Sequence, residues 1–261
     1  MTIFKHELWQ GRTAFVIWPG SIAFLLIICV FMFPEMKGEM DAVGEMFASM
    51  GSFTAAFGMD RLNFGTLIGF YSIECGNILG LGGASFASLM GVSVLFKEEK
   101  GRTAEFLLTH PISRTRVVTE KLAAVLAQIT LMNLILLGLP LLSMALIGEN
   151  IPWKEVLLMH GAYYLLQLEL AGICFGISAF LRLGGNGIGM GLAAMMYFLN
   201  LIANMTEHAR FLKYITPFGY CEGGDIISNG RLDTGLITVG MLFASAGVTM
   251  AYWRYSKKDI R

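Results

Sequence analysis

FVIWPGSIAFLLIICVFMF fills residues 15–33, nineteen positions without one charged side chain. A helix rises about 1.5 Å per residue, and the hydrocarbon core of a bilayer is roughly 30 Å thick, so about 20 apolar residues cross it. The run is longer than the apolar core of a typical cleaved signal, and it passes into Pro34-Glu35 without a small-x-small cleavage site. It reads as a retained first span. Working outward, the whole chain follows suit: of 261 residues, 55% are hydrophobic and 15% charged, and the mean hydropathy is +0.63. Soluble domains carry about 25% charged residues. An integral membrane protein is the expectation. The formal net charge is zero, so composition offers no general attraction to nucleic acid, and none is expected as a partner.

Further apolar stretches divide the rest. The expected fold is an all-α integral membrane protein, one transmembrane domain over residues 1–261. Its six spans lie at about 15–33, 66–96, 122–147, 156–181, 188–205 and 234–253. Ahead of them, MTIFKHELWQGR sets Ile3, Phe4, Leu8 and Trp9 against Lys5, His6, Glu7 and Arg12, a pattern for a helix lying at the membrane interface. The second stretch is too long for one perpendicular crossing, and GLGG at Gly80 to Gly83 is where a bend is expected. Residues 206–233 read as a longer polar loop. With both termini inside, 13 of the 19 Lys and Arg fall on inner segments, so both termini and the segment after the second span are expected to be cytoplasmic. The expected bilayer is a plasma membrane, in a bacterium the inner, cytoplasmic one.

That segment, FKEEKGRTAEFLLTHPISRTR at residues 96–116, is the densest cluster of charge in the chain. From Lys97 to Lys121 there are six basic and four acidic side chains. At about 2.5 kcal/mol per charge at mid-membrane, burying them in lipid would cost more than about 20 kcal/mol. The segment must leave the hydrocarbon. Ala104, Leu107 and Leu108 recur at helical spacing, Pro111 turns His110 away from helix, and Ser113 is placed to cap the helix that leads into the third span. A short amphipathic helix, a break and a re-entering helix are expected. An ordinary positively charged inner loop accounts for the same composition.

The stretch EEKGRTAEFLLTHPISRTRVVTEK resembles the signature of permease subunits in the type-2 exporter family of ATP-binding-cassette (ABC) transporters. The matching positions are Glu98, Glu99, Gly101, Thr103, Glu105, Leu107, Leu108, Pro111, Ser113, Arg114 and Lys121. The six spans, the TPFGY loop before the last and the KKD tail are similar in layout. The resemblance implies that 97–121 is a coupling segment docking into a separate ABC ATPase subunit. Glu98, Glu99, Glu105, Arg102 and Arg114 would be available for docking salt bridges, and a second permease copy or paralogue would complete the exporter. The chain has no GxxxxGK[ST] phosphate loop. No catalytic residue, metal site or cofactor is therefore assigned to it; ATP and Mg are expected on the partner ATPase.

Within the spans, Glu74 and Glu169 are the only acids well inside, and intramembrane carboxylates face a bundle interior or a cavity. They are candidates for a substrate path, or for structural residues fixing helix packing. Asn77, Gln128, Asn133, Gln167, Asn200 and Asn204 are candidates for inter-helix hydrogen bonds, and Gly65/Gly69, Gly76/Gly80, Gly172/Gly176 and Gly185/Gly189 have GxxxG spacing. Cys29, Cys75, Cys174 and Cys221 form no CxxC pair, and His160 and His208 have no ligand set around them. EEKGR is one residue short of the EExxxR of intramembrane CAAX-type proteases and lies outside any span. An ion-coupled secondary transporter using Glu74 and Glu169 is the alternative, and it would need matching inverted repeats. A purely structural membrane subunit is the remaining one.

Overall fold

In a computed structural model the described residues are 2–39, 46, 50–95, 97, 113–181 and 185–257. All regular structure among them is helical. Six helices are long and apolar enough to cross a membrane, one for each span expected. The first span is Arg12–Met36, the second Leu67–Ser93, the third Arg114–Leu146, the fourth Trp153–Ser178, the fifth Asn186–Met205 and the sixth Thr234–Lys257. A separate helix, Thr2–Gln10, precedes the first, with Gly11 between.

The helices run past the hydrophobic boundaries. The third begins at Arg114, eight positions before its apolar stretch, because Ser113 turns the chain (ψ 143°) and its hydroxyl accepts from the Arg116 N–H at 3.3 Å. At about 1.5 Å per residue this helix reaches roughly 50 Å, longer than one bilayer crossing needs, and its first turns carry Arg114, Arg116, Glu120 and Lys121 ahead of the apolar stretch. Residues 114–121 of the expected coupling segment are thus the root of the third span. Residues 98–112 lie outside the described residues.

The second and fourth spans form the centre. In their most apolar stretches 67% and 61% of residues are buried, against 28%, 22% and 17% in the first, fifth and sixth. The fourth packs along both the second and the sixth, the first lies against the third, and the fifth against the second. Small residues set the spacing between the fourth and sixth: a Cβ added to Gly176 would come within 2.6 Å of the Gly247 carbonyl oxygen. Gly76 and Gly80 instead make room for Tyr163 of the fourth span, while Gly69 abuts Asn63 in its own preceding turn. That last GxxxG pair serves a local turn and not a helix contact. The irregularity expected at GLGG comes slightly earlier, as a π-helical turn at Gly76–Leu81.

The long loop before the sixth span departs from its polar reading. Short 3₁₀ helices at Glu207–Tyr214 and Pro217–Tyr220 and a helix at Gly223–Asn229 fold back on the bundle. Residues 216–221 are buried. Irregular backbone is tolerated at such a depth when protein covers it and satisfies its polar groups. Here the Thr216 hydroxyl donates to the Met196 carbonyl at 2.8 Å, and the Tyr163 hydroxyl to the Cys221 carbonyl at 2.9 Å.

Candidate functional site

Both described ends of the chain and both roots of the charged segment lie at one end of the bundle. Arg114 Nη1 donates to the Ser256 carbonyl at 3.2 Å, and the hydroxyls of Thr119 and Tyr252 are 2.8 Å apart. The Phe4 N–H donates to Glu120 at 3.2 Å, and Glu120 also accepts from Arg116 Nε at 2.9 Å. At the centre is Glu7, grouped by residue type with Lys5, His6 and Arg12 as polar surface. It points inward, 5% exposed, on the same face as Ile3. Lys121 Nζ donates to Glu7 Oε1 at 2.7 Å and to the Val94 carbonyl at 2.8 Å, and Lys97 donates to the other carboxylate oxygen. One carboxylate therefore joins the exit of the second span to the entry of the third.

Of the residues that matched the signature, Ser113, Arg114 and Lys121 are described. Ser113 caps the third span, Arg114 reaches the sixth, and Lys121 is completely buried against Glu7. Glu98, Glu99, Gly101, Arg102, Thr103, Glu105, Leu107, Leu108 and Pro111 lie outside the described residues. Trp9 and Trp253 are exposed at this end, with Arg12 and Lys257 over their rings at 4.2 and 4.8 Å, and Trp153 is exposed on the far side of the bundle. Amphipathic aromatics of this kind suit the level of the lipid headgroups.

The two intramembrane carboxylates turn to different neighbours. Glu74 is partly buried and receives the Cys29 thiol of the first span at 3.8 Å. Glu169 is fully buried, with no hydrogen-bond partner for either oxygen among the described residues. It lies in the space that a side chain at Gly240 of the sixth span would fill: a Cβ there would lie 2.0 Å from Glu169 Oε2. Asn133 donates to Gln167 at 2.6 Å and the Tyr197 hydroxyl to Asn77 at 2.8 Å, so these amides do join spans.

At the opposite end the sequence reading missed a further, partly buried acid. Glu222 accepts from Asn200 at 3.2 Å and from Asn204, and Lys213 stands 3.4 Å away. Burial pushes its carboxyl pKa up, and Lys213 pulls against that shift. A polar, Gly-flanked position in a loop carries no local sign of burial; only the return of TPFGYC into the bundle creates it. Beside it a cavity of about 570 Å³ opens among Arg210, Lys213, Tyr220, Asp225 and Arg231. Among the described residues no cluster of His, Cys, Asp or Glu is arranged to hold a metal ion.

Against known proteins, a family profile described as ABC-2 family transporter protein matches residues 1–260. No curated protein matches the sequence. The profile spans the six membrane-crossing helices and the charged segment alike, in agreement with the signature read at Glu98 to Lys121. The chain belongs to the ABC-2 family of transporters, as a multi-pass membrane protein of the permease type.

Proposed function

We propose that the chain is the membrane-spanning permease subunit of an ATP-driven exporter in the plasma membrane. A separate ABC ATPase docks on the cytoplasmic segment 97–121, and closure of the ATPase pair pushes that segment, rearranging the spans around a path to the outside. The observation that carries this reading is the anchoring of the segment at both of its roots, Lys97 and Lys121, by one buried carboxylate at the end of the bundle where both described chain ends lie. A segment held at both roots passes a push into the second and third spans. The excess of Lys and Arg at this end supports its assignment to the cytoplasm. Glu98, Glu99, Arg102, Glu105 and Arg114 are the docking charges, with Gly101, Thr103, Leu107, Leu108, Pro111 and Ser113 shaping the docking helix. ATP and Mg belong to the ATPase.

The thinly buried first, fifth and sixth spans leave broad apolar faces for lipid and for a second permease copy or paralogue. Glu74 and Glu169 are assigned to the transport path, supported by their position inside the spans. The test is purification of the tagged chain from its native membranes in mild detergent, with ATP hydrolysis assayed in the eluate. An ATPase should co-elute, and Glu105→Arg or Arg114→Glu should remove it. Co-elution that survives both reversals together contradicts docking through this segment.

A further inference from the structure

Glu7 belongs to no motif, yet its carboxylate joins the two roots of the charged segment at one end of the bundle. Lys97 follows the second span and Lys121 lies in the first turns of the third, 24 positions later in the chain. Glu7 receives both ammonium groups, and Lys121 closes the ring by donating to the Val94 carbonyl at the end of the second span. A second contact runs in parallel, from the Phe4 N–H to Glu120. The helix bearing Glu7 is thus tied to both roots of the charged segment. Two features bear on how such a unit would pass a movement on, together with the backbone hydrogen bonds that run across Gly11, from its N–H to the Glu7 carbonyl and from the Phe15 N–H to its own carbonyl, both 2.9 Å. Gly11 alone separates this helix from the first span, and a cavity of about 190 Å³ lies beside the cluster, lined by Glu7, Gly11, Ser93, Lys97 and Gln128.

We propose that Glu7 is a positioning residue for energy coupling. It locks the helix Thr2–Gln10 to both roots of the docking segment, so that a push on the segment displaces this helix and, through Gly11, the first span. The inference rests on ATPase docking at 97–121 and adds a second route for the motion, into the first span as well as the second and third. A purely structural staple would hold the fold together but would carry no nucleotide-dependent movement.

The experiment uses the intact permease–ATPase complex in nanodiscs. Spin labels are placed at Trp9→Cys and Leu146→Cys, both exposed in the permease (61% and 68%), with partly exposed Cys29 replaced by Ala. The distance between labels is measured by pulsed electron resonance with and without ATP plus vanadate. In the labelled parent the distance shifts on nucleotide. In Glu7→Gln the shift falls below half while the ATPase stays bound and hydrolyses ATP, and Glu7→Asp restores it. Lys97→Gln leaves the Glu7–Lys121 pair in place and reduces the shift at least twofold, which keeps the test valid should Glu7→Gln fold poorly. A shift unchanged in Lys97→Gln or Glu7→Gln overturns the proposal, as does a parent whose ATPase works while the distance stays fixed. A parent that binds no ATPase overturns the docking reading as well, and the hydrolysis assay tells the two failures apart.

Discussion

Glu7 and Glu169 are the same residue type, almost equally removed from solvent, and oppositely provided for. Glu7 sits between two lysines at the end of the bundle where both described chain ends lie; Glu169 lies between the fourth and sixth spans with no hydrogen-bond partner for either oxygen among the described residues. Removing one partner of a buried ion pair leaves the other charge stranded, whereas an unpaired group has no partner to strand. The pair therefore separates two uses of a buried acid. One is a tie between elements distant in sequence. The other occupies the space left by the missing side chain at Gly240, with Tyr220 as its polar neighbour.

The largest expected effect follows from the first case. Glu7→Gln should destabilise the detergent-solubilised chain by about 3–5 kcal/mol, because the fully buried Lys121 ammonium loses the Glu7 carboxylate. A lowered midpoint in thermal denaturation, partly recovered in Glu7→Gln/Lys121→Met, checks it; equal midpoints for parent and single variant would show that the tie carries little energy. Next comes Gly240→Ala, expected to cost about 1–3 kcal/mol through overlap with the Glu169 carboxylate. In a double-mutant cycle most of that cost should vanish on a Glu169→Ala background. Additive costs would remove the shape argument.

Ser113→Ala should cost about 1 kcal/mol by uncapping the turn that aims Glu120 and Lys121; loss of amide-exchange protection confined to the first turn of the third span is the readout. The smallest stability effect belongs to Glu169→Gln, within about 1 kcal/mol, since no ion pair is lost and the shape is kept. Its contrast with Glu7→Gln in one melting series is the point of the comparison. Midpoints that fall by the same amount would erase the distinction.

What was legible in the residues was mostly local. The six spans follow from uninterrupted apolar length, and the Ser113 cap from a hydroxyl placed after Pro111 and before a regular helix. The inward turn of Glu7 was not local. Its first-turn neighbours count it as polar surface, and its partners lie 90 and 114 positions along the chain. A spacing of four does place Ile3, Glu7 and Gly11 on one face, and an acid flanked by small and apolar residues on that face was the available signal. Glu222 and the TPFGYC stretch were misread for a related reason: composition reports polarity, but only packing decides whether a loop re-enters the bundle. Glu169 was recognisable as intramembrane, while its neighbour Gly240 became visible only once the fourth and sixth spans were side by side.

The account depends on an ATPase engaging residues 97–121, and a photo-crosslinking amino acid at Leu108, activated in native membranes, tests this most directly. A crosslinked partner that carries a GxxxxGK[ST] phosphate loop, bound through this position and lost on Glu105→Arg, is the predicted result. A chain that hydrolyses no ATP in complex and crosslinks at Leu108 only to lipid or to itself would contradict it.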